Sequence, residues 1–188
     1  MTIYWINGPF GVGKTSTAAE LLAMLPGATL YDPEEVGTML RKLLPHQADG
    51  DFQDLPPWRP LVAATAVQLL GAANGPLVTP MTLLRRSYAE EIFNALAGSG
   101  VSVHHILLHA EDDVLRARIE RHDIFPDDPA RSDRVRAWRL RHLAAYRDAM
   151  GWLASGARML DTTTLSPEQA ATRILEVTEP AGPAVLHL

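Results

Sequence analysis

Residues 3–15 read Ile-Tyr-Trp-Ile-Asn-Gly-Pro-Phe-Gly-Val-Gly-Lys-Thr, and this stretch decides the fold. A short apolar run typical of a buried strand ends at Asn7. The spacing Gly-x-x-x-x-Gly-Lys-Thr follows directly over residues 8–15, and apolar residues then recur at helical spacing. Strand, glycine-rich loop and helix, in this order, predict a phosphate-binding loop, or P-loop.

The residue types of this loop point to nucleotide binding. Successive backbone N–H groups of such a loop face a polyphosphate, and the helix N-terminus adds a partial positive charge. We expect Lys14 to bridge the β- and γ-phosphates and the Thr15 hydroxyl to hold Mg²⁺. The predicted cofactors are therefore ATP and Mg²⁺. The residues predicted to bind them are Gly8, Pro9, Phe10, Gly11, Val12, Gly13, Lys14, Thr15 and Ser16.

Length and composition restrict the class of protein. A chain of 188 residues that is 47% hydrophobic is long enough for one well-packed domain and short for two. Its net charge of −5 gives no reason to expect nucleic acid as a partner, and the lack of cysteine excludes disulfides and thiolate metal sites. No apolar run approaches the ~18 residues of a membrane-spanning helix, and no signal peptide is recognisable. We therefore expect a cytoplasmic protein.

Apolar runs and helical periodicity alternate along the chain, which predicts an α/β fold. The strands are predicted at 2–7, 28–32, 76–82, 102–109 and 157–161, and the helices at 14–25, 34–44, 58–72, 86–98, 111–122, 131–153 and 166–178. We expect a three-layer P-loop NTPase fold, whose five-stranded, mainly parallel sheet is flanked by helices as in nucleoside and nucleotide kinases. The predicted domain spans 1–179, with an acceptor region at about 45–59, a lid at about 116–134 and a tail at 180–188.

A carboxylate is expected at the end of the second strand. Asp32 follows that strand, and ligands of parallel sheets lie outside the C-terminal strand ends. Asp32 could accept the proton of an attacking hydroxyl or hold Mg²⁺ through water. The alternative is that Asp32 caps the next helix, whose first turn contains Glu34 and Glu35. The sequence leaves open which of the three acts as a base.

Arginines and a late loop provide further candidates around the nucleotide. Arg118 and Arg121 lie three residues apart on a predicted helix, so they share a face. Two guanidinium groups at the start of a lid can neutralise charge on a transferred phosphoryl group. The alternative is a solvated helix face. Asp161 and Thr162 follow the last predicted strand and are expected to border the adenine.

A polar and aromatic stretch over 51–59 predicts a pocket for the acceptor. Its aromatic side chains could stack on a planar base while neighbouring polar groups fix the orientation of that base. The alternative is an ordinary loop pinned by one buried tryptophan. The residues predicted to bind the acceptor are Asp32, Phe52, Gln53, Trp58, Arg59 and Thr82.

Two other classes of site fit less well. A GTPase needs an Asn-Lys-x-Asp segment to read guanine, and this chain has none. His104 and His105 are neighbours on a predicted strand, so their side chains point to opposite faces and cannot chelate one metal together. Both are expected to be structural histidines.

Several motifs together resemble the tunicamycin-resistance ATP-binding proteins. They are Trp5-Ile6-Asn7-Gly8 with its P-loop, Tyr31-Asp32-Pro33-Glu34, Asp51-Phe52-Gln53 followed by Trp58-Arg59, Pro80-Met81-Thr82 and Val103-His104-His105. The resemblance implies a nucleotide-kinase-like fold, ATP binding and protection against tunicamycin, a uridine-containing nucleoside antibiotic. Members of that family have been linked to the membrane through an amphipathic C-terminal segment. Residues 180–188 hold two prolines and neither lysine nor arginine, so we expect no such anchor here.

Three functions stay open at this point. The first is a small-molecule kinase that transfers the γ-phosphoryl group of ATP to tunicamycin or a related nucleoside. Its catalytic residues would be Lys14, Asp32, Arg118 and Arg121. The second is an ATP-dependent protein that binds and sequesters the drug without phosphoryl transfer. The third is a housekeeping kinase of another small metabolite. The sequence sets neither the phosphorylated position nor the oligomeric state.

Overall fold

Five strands form one sheet in the order β2-β3-β1-β4-β5. The computed structural model describes residues 1–47, 50–122 and 125–178. Within these residues the strands are β1 (Thr2–Asn7), β2 (Thr29–Leu30), β3 (Leu77–Pro80), β4 (Ser102–His109) and β5 (Arg158–Asp161). All four neighbouring pairs of these described strands are parallel. Because β1 lies between β3 and β4, its C-terminal end lies at the middle of the sheet.

Helices connect the strands and cover both faces of the sheet. They are α1 (Lys14–Met24), α2 (Pro33–Leu43), α3 (Trp58–Ala72), α4 (Arg86–Gly98), α5 (Asp112–Arg121), α6 (Pro129–Gly156) and α7 (Pro167–Thr178), with short 3-10 helices at Pro45–Gln47 and Phe52–Asp54. The predicted fold class is confirmed. The predicted tail at 180–188 lies outside the described residues. Among the described helices, none is both long and apolar enough to cross a membrane.

The core has two halves, one on each face of the sheet. Ile3 and Trp5 of β1 pack with Trp58 of α3 on one face. Ile6 of the same strand packs with Ile174 of α7 on the other face. This arrangement follows from the alternation of side chains along a strand that is buried on both sides. Three layers of secondary structure result, with the P-loop at the C-terminal end of the central strand.

The acceptor region is fixed to α2 by close packing at a glycine. A Cβ atom at Gly37 would lie 2.5 Å from Cγ of Phe52, so only glycine lets this ring approach the helix. Below the ring, Trp58 is fully buried, and its indole N–H donates to the carbonyl oxygen of Pro33 at 3.0 Å. The stretch around residue 52 is therefore held in place by the fold.

Replacing Gly37 by alanine should destabilise the protein and displace Phe52, because a methyl group cannot remain 2.5 Å from a ring carbon. We expect the free energy of unfolding in urea to fall by about 1–3 kcal/mol, the range for overpacking. Gly151→Ala in α6 is the matched control, since nothing lies within 4 Å of its Cβ position. That change should stabilise the helix by about 0.5–1 kcal/mol. Equal effects of the two substitutions would contradict this packing.

Candidate nucleotide and acceptor site

The loop after β1 has the backbone that its glycines predict. Gly8 and Gly13 have φ angles of 143° and 99°, values that L side chains rarely adopt. A Cβ atom at Gly8 would also lie 2.5 Å from the carbonyl oxygen of Leu108. The loop and the N-terminus of α1 form one side of a cavity of about 540 Å³. Partial positive charge from the helix N-terminus makes this side of the cavity favourable for an anion.

Lys14 is the cation of the P-loop in the lining of this cavity. Its Nζ atom donates to the carbonyl oxygens of Gly8 and Pro9, each at 2.9 Å. Burial lowers the pKa of Lys14 to about 7, nearby Glu34 opposes this change, and Arg139 adds to it. A bound polyphosphate would reverse the shift, because an adjacent anion favours the charged ammonium.

Other residues that line this first cavity come from α5 and from the loop between β5 and α7. Thr162 lines the cavity, as do Leu165 and Pro167. Asp161 lies outside the lining, and its carboxylate accepts a hydrogen bond from the Thr163 N–H at 2.8 Å. Of the two residues predicted to border the adenine, the structure therefore brings only Thr162 to the described cavity wall.

Arg118 and Arg121 both line the first cavity. The Nη2 atom of Arg118 donates to the carbonyl oxygens of Thr162 at 3.0 Å and Thr163 at 3.3 Å. Arg118 therefore connects α5 to the β5–α7 loop, and its Cβ atom lies 3.6 Å from the Cβ position of Gly11 in the P-loop. The catalytic roles suggested for Arg118 and Arg121 stay predictions.

A second, larger cavity of about 980 Å³ adjoins the first, and Phe10 and Arg139 line both. Its walls come from α2, the 3-10 helix Phe52–Asp54, the segment after β3, and α6. A ligand on the P-loop and a second ligand in this cavity would meet beside Arg139.

Arg139 projects from α6 at this junction. Its Nη1 atom donates to Nδ1 of His122 at 2.9 Å, and its guanidinium lies 5.6 Å from the centre of the Phe10 ring. Burial lowers the pKa of Arg139, and Glu34 opposes the shift. Sequence reasoning missed this residue, because α6 carries several arginines and helical spacing alone does not show which one turns inward.

Four acidic residues line the second cavity, namely Glu34, Asp51, Asp54 and Asp148. Of these, Glu34 is the one whose pKa responds to both Lys14 and Arg139. Burial raises the pKa of Glu34, and so does its neighbour Asp32, whereas Lys14 and Arg139 lower it. Asp32 lies outside the lining of both cavities, and its Oδ1 atom accepts the Glu34 N–H at 2.9 Å as the cap of α2. The contacts of Asp32 are therefore those of a helix cap. Glu34 is the acidic residue that lies near both Lys14 and Arg139.

Three of the predicted acceptor residues line the second cavity, namely Phe52, Gln53 and Thr82. Gln53 Nε2 donates to the carbonyl oxygen of Thr82 at 3.0 Å, and the Thr82 hydroxyl donates to the carbonyl oxygen of Gly8 at 2.9 Å. These bonds connect the acceptor wall to the P-loop.

The structure places neither Trp58 nor Arg59, both predicted to bind the acceptor, in the lining of the second cavity. Trp58 is 0% exposed, so no ligand can stack on its ring. Arg59 forms an ion pair with Glu91 at 2.6 Å and donates to the carbonyl oxygen of Gln53 at 2.6 Å. Both side chains stabilise the cavity wall without lining the cavity.

Trp138 is an aromatic group that sequence reasoning missed. It is 40% exposed and lines the second cavity, with its ring centre 4.9 Å from that of Phe10 and 3.9 Å from that of His142. Its position, four residues before His142 and on the same face of α6, was the available signal.

The buried side chain of Asn7 connects the P-loop to the segment after β3. Its Oδ1 atom accepts the N–H groups of Gly8 at 2.8 Å and Leu83 at 2.9 Å. Its Nδ2 atom donates to the carbonyl oxygen of Leu83 at 2.9 Å. Because Leu84 and Arg85 line the second cavity, this one amide fixes the phosphate loop relative to the acceptor wall.

Magnesium would bind at this site chiefly through the phosphates of a nucleotide. Within the described residues, no group of three or more His, Asp or Glu side chains is arranged to hold a metal alone. Mg²⁺ usually keeps several waters and takes few protein ligands beside phosphate oxygens. Thr15 lines the first cavity and fits this role, whereas Asp32, the other predicted ligand, is engaged as a helix cap.

Binding of MgATP should be accompanied by proton uptake at Lys14. The pKa of Lys14 is about 7 before binding, and bound phosphates should raise it. Calorimetry in buffers of different ionisation enthalpy should therefore show uptake approaching one proton at about pH 8 and little at about pH 6. Lys14→Arg is the control, since a guanidinium stays protonated. Unchanged uptake in this variant would show that another group takes the proton.

Comparison with known proteins supports a family assignment. Residues 3–141 match the model of a family described as an AAA domain. The solved tunicamycin resistance protein of Deinococcus radiodurans is 31% identical, with a TM-score of 0.69 and alignment of 94% of this chain and 95% of that one. No curated protein sequence matches.

More distant solved structures share the fold. The gluconokinase of Sinorhizobium meliloti 1021 is 17% identical, with a TM-score of 0.61 over 94% of this chain and 92% of that one. The APS kinase of Mycobacterium tuberculosis, solved with AMPPNP and APS, is 16% identical, with a TM-score of 0.56 over 95% and 98%.

Proposed function

Because this chain belongs to the tunicamycin-resistance family of AAA-domain proteins, we propose that it is an ATP-dependent phosphotransferase acting on tunicamycin or a related uridine-containing nucleoside. The main support is the junction at Phe10 and Arg139, where the cavity lined by the P-loop adjoins a second cavity of about 980 Å³. Donor and acceptor can thus meet without either leaving its own cavity. The reaction would take place in the cytoplasm, where ATP is available.

The first cavity would take the nucleotide. The triphosphate would lie on the backbone N–H groups of the P-loop, with Lys14 beside its β- and γ-phosphates. Thr15 would hold the Mg²⁺ that neutralises phosphate charge. The base and ribose would extend toward Arg118 and the apolar side chains of Leu165 and Pro167.

The second cavity would take the acceptor. Phe52 and Trp138 offer aromatic surface for a ring, and Gln53 offers a polar group to orient it. A pocket with aromatic walls and a few placed polar groups is typical of small-molecule sites. A nucleoside has both the flat ring and the hydroxyl groups that such walls would hold.

Transfer would occur where the two ligands meet. The acceptor hydroxyl would give its proton to Glu34, its oxygen would bond to the γ-phosphorus, and the bond from that phosphorus to the β–γ bridging oxygen would break, releasing ADP. Lys14 and Arg139 would stabilise the negative charge on the transferred group and on the leaving oxygen. Glu34 would later lose the proton to solvent.

Arg139→Ala should reduce kcat by about 10²–10³-fold, the loss typical of removing one charge-stabilising donor at a transition state. The Kd for MgATP should change much less, because the P-loop is intact. Arg141→Ala is the matched control, since Arg141 is exposed on the same helix. Steady-state kinetics and calorimetry measure both quantities. Equal kcat in the two variants would remove Arg139 from the mechanism.

Glu34→Gln and Asp32→Asn separate the two candidate bases. Asparagine caps a helix about as well as aspartate, so Asp32→Asn should keep α2 and most activity. Glu34→Gln removes the cavity carboxylate that lies near Lys14 and Arg139, so transfer should fall by about 10²–10⁴-fold while MgATP still binds. The reverse result would return the role of base to Asp32, as the sequence first indicated.

The proposal is tested by mass spectrometry of tunicamycin after incubation with the protein and MgATP, beside a Lys14→Ala control. We expect the mass of one added phosphoryl group, absent in the control. Unchanged drug, despite saturable binding of both ligands, would contradict phosphoryl transfer to tunicamycin. ATP-dependent sequestration, or a different acceptor metabolite, would then be the better account.

A further inference from the structure

His105 lies next to the P-loop but outside both cavities. Its Nε2 atom is 3.2 Å from Nδ2 of Asn7, and its Nδ1 atom is 3.1 Å from the carbonyl oxygen of Gly156 at the end of α6. The ring also packs edge-on against Phe93 of α4, with ring centres 4.9 Å apart. None of these contacts serves the proposed transfer directly.

The hydrogen bonds of Asn7 determine which ring nitrogen of His105 carries the proton. The side-chain oxygen of Asn7 must face the N–H groups of Gly8 and Leu83, because an amide nitrogen cannot accept them. Its NH₂ group therefore faces both the Leu83 carbonyl and Nε2 of His105. Nε2 must then accept, and Nδ1 must donate to the Gly156 carbonyl.

We propose that Asn7 and neutral His105, protonated at Nδ1, form a positioning pair that holds the P-loop against the acceptor wall and the end of α6. The pair connects four parts of the chain, namely Gly8 of the loop, Leu83 after β3, His105 on β4 and Gly156 on α6. It contacts neither ligand, so it would act through the position of the Gly8 N–H. This inference rests on the proposed nucleotide binding but not on phosphoryl transfer.

Protonation of His105 would break the pair. A second ring proton at Nε2 would face the NH₂ group of Asn7, so two donors would oppose each other. The groups that face His105 are Asn7 from β1, Phe93 from α4, and Trp152 and the Gly156 carbonyl from α6, and none of these four is titratable. Burial lowers the pKa of His105, and the Gly156 bond only partly offsets the shift, so the neutral form prevails near neutral pH.

In the Asn7→Asp variant, the pair should form best when His105 is protonated rather than neutral. The introduced carboxylate still accepts the Gly8 and Leu83 N–H groups, but it favours a proton on the facing Nε2 of His105. The ratio of the Kd for MgATP in this variant to the wild-type Kd should therefore rise with pH. We expect a rise of roughly two- to tenfold between about pH 5.5 and pH 8, the effect of one net hydrogen bond. The introduced carboxylate also raises the pKa of nearby Lys14, so the contribution of His105 is the difference between backgrounds with and without this histidine.

Histidine variants show whether His105 carries this dependence. In a His105→Gln background, the ratio of the Kd with Asn7→Asp to the Kd without it should rise less with pH, because only the part due to Lys14 is left. An unchanged rise in this background would contradict the role of His105. His104→Gln is the matched control, because His104 precedes His105 on β4 and packs against Tyr4 with ring centres 5.0 Å apart. The pH dependence should persist in that background. A ratio that is flat with pH in every background would overturn the proposal.

NMR of the wild-type protein tests the pair without any nucleotide. The ¹⁵N shifts of the His105 ring should show the Nδ1–H tautomer, and the amide resonances of Gly8 and Leu83 should titrate together with that ring. An Nε2–H tautomer would overturn the inference. So would amide resonances of Gly8 and Leu83 that do not shift as the ring titrates. Failure of the wild-type protein to bind MgATP would instead contradict the proposed function, and the NMR result would still decide the pairing.

Discussion

The site depends on one buried amide, that of Asn7, at the C-terminal end of the central strand. Three hydrogen bonds from this side chain fix Gly8 and both backbone groups of Leu83. The first residue of the phosphate loop and the first residues of the acceptor wall are thereby held in one arrangement. Leaving any of these buried groups without a partner would cost about 1–3 kcal/mol, so the arrangement is strongly specified. The glycines of the loop shape the backbone, but Asn7 sets where that backbone lies.

Helix α6 completes the site from the other side. It presents Trp138 to the acceptor cavity and Arg139 to both cavities, at their junction. The charges at that junction influence one another, because Glu34 raises the pKa of Lys14 and Arg139 lowers it. A buried cation that is only partly compensated is well suited to an anionic ligand. The same geometry would stabilise a phosphoryl group in transit between the two cavities.

Local patterns predicted the fold, and long-range packing decided which side chains reach the cavities. The strands, helices and P-loop followed from apolar periodicity and one contiguous motif. Trp58 was assigned to the acceptor because a tryptophan among polar residues has the same sequence pattern whether it is buried or exposed. Arg139 was missed because only its contact with His122 and its position over Phe10 distinguish it from other arginines of α6. Glu34 was predicted as a first-turn residue of α2, which it is, but its proximity to Lys14 depends on how β2 and β1 are placed in the sheet.

In the proposed mechanism, donor and acceptor meet between Lys14 and Arg139. A crystal structure of the protein with Mg²⁺, a non-hydrolysable ATP analogue and tunicamycin would show this meeting point. We expect the γ-phosphorus beside both cations, with an acceptor hydroxyl oxygen about 3–3.5 Å away and in line for attack. We also expect the acceptor in the cavity lined by Trp138. A γ-phosphate directed away from Arg139, or tunicamycin bound outside that cavity, would contradict this mechanism.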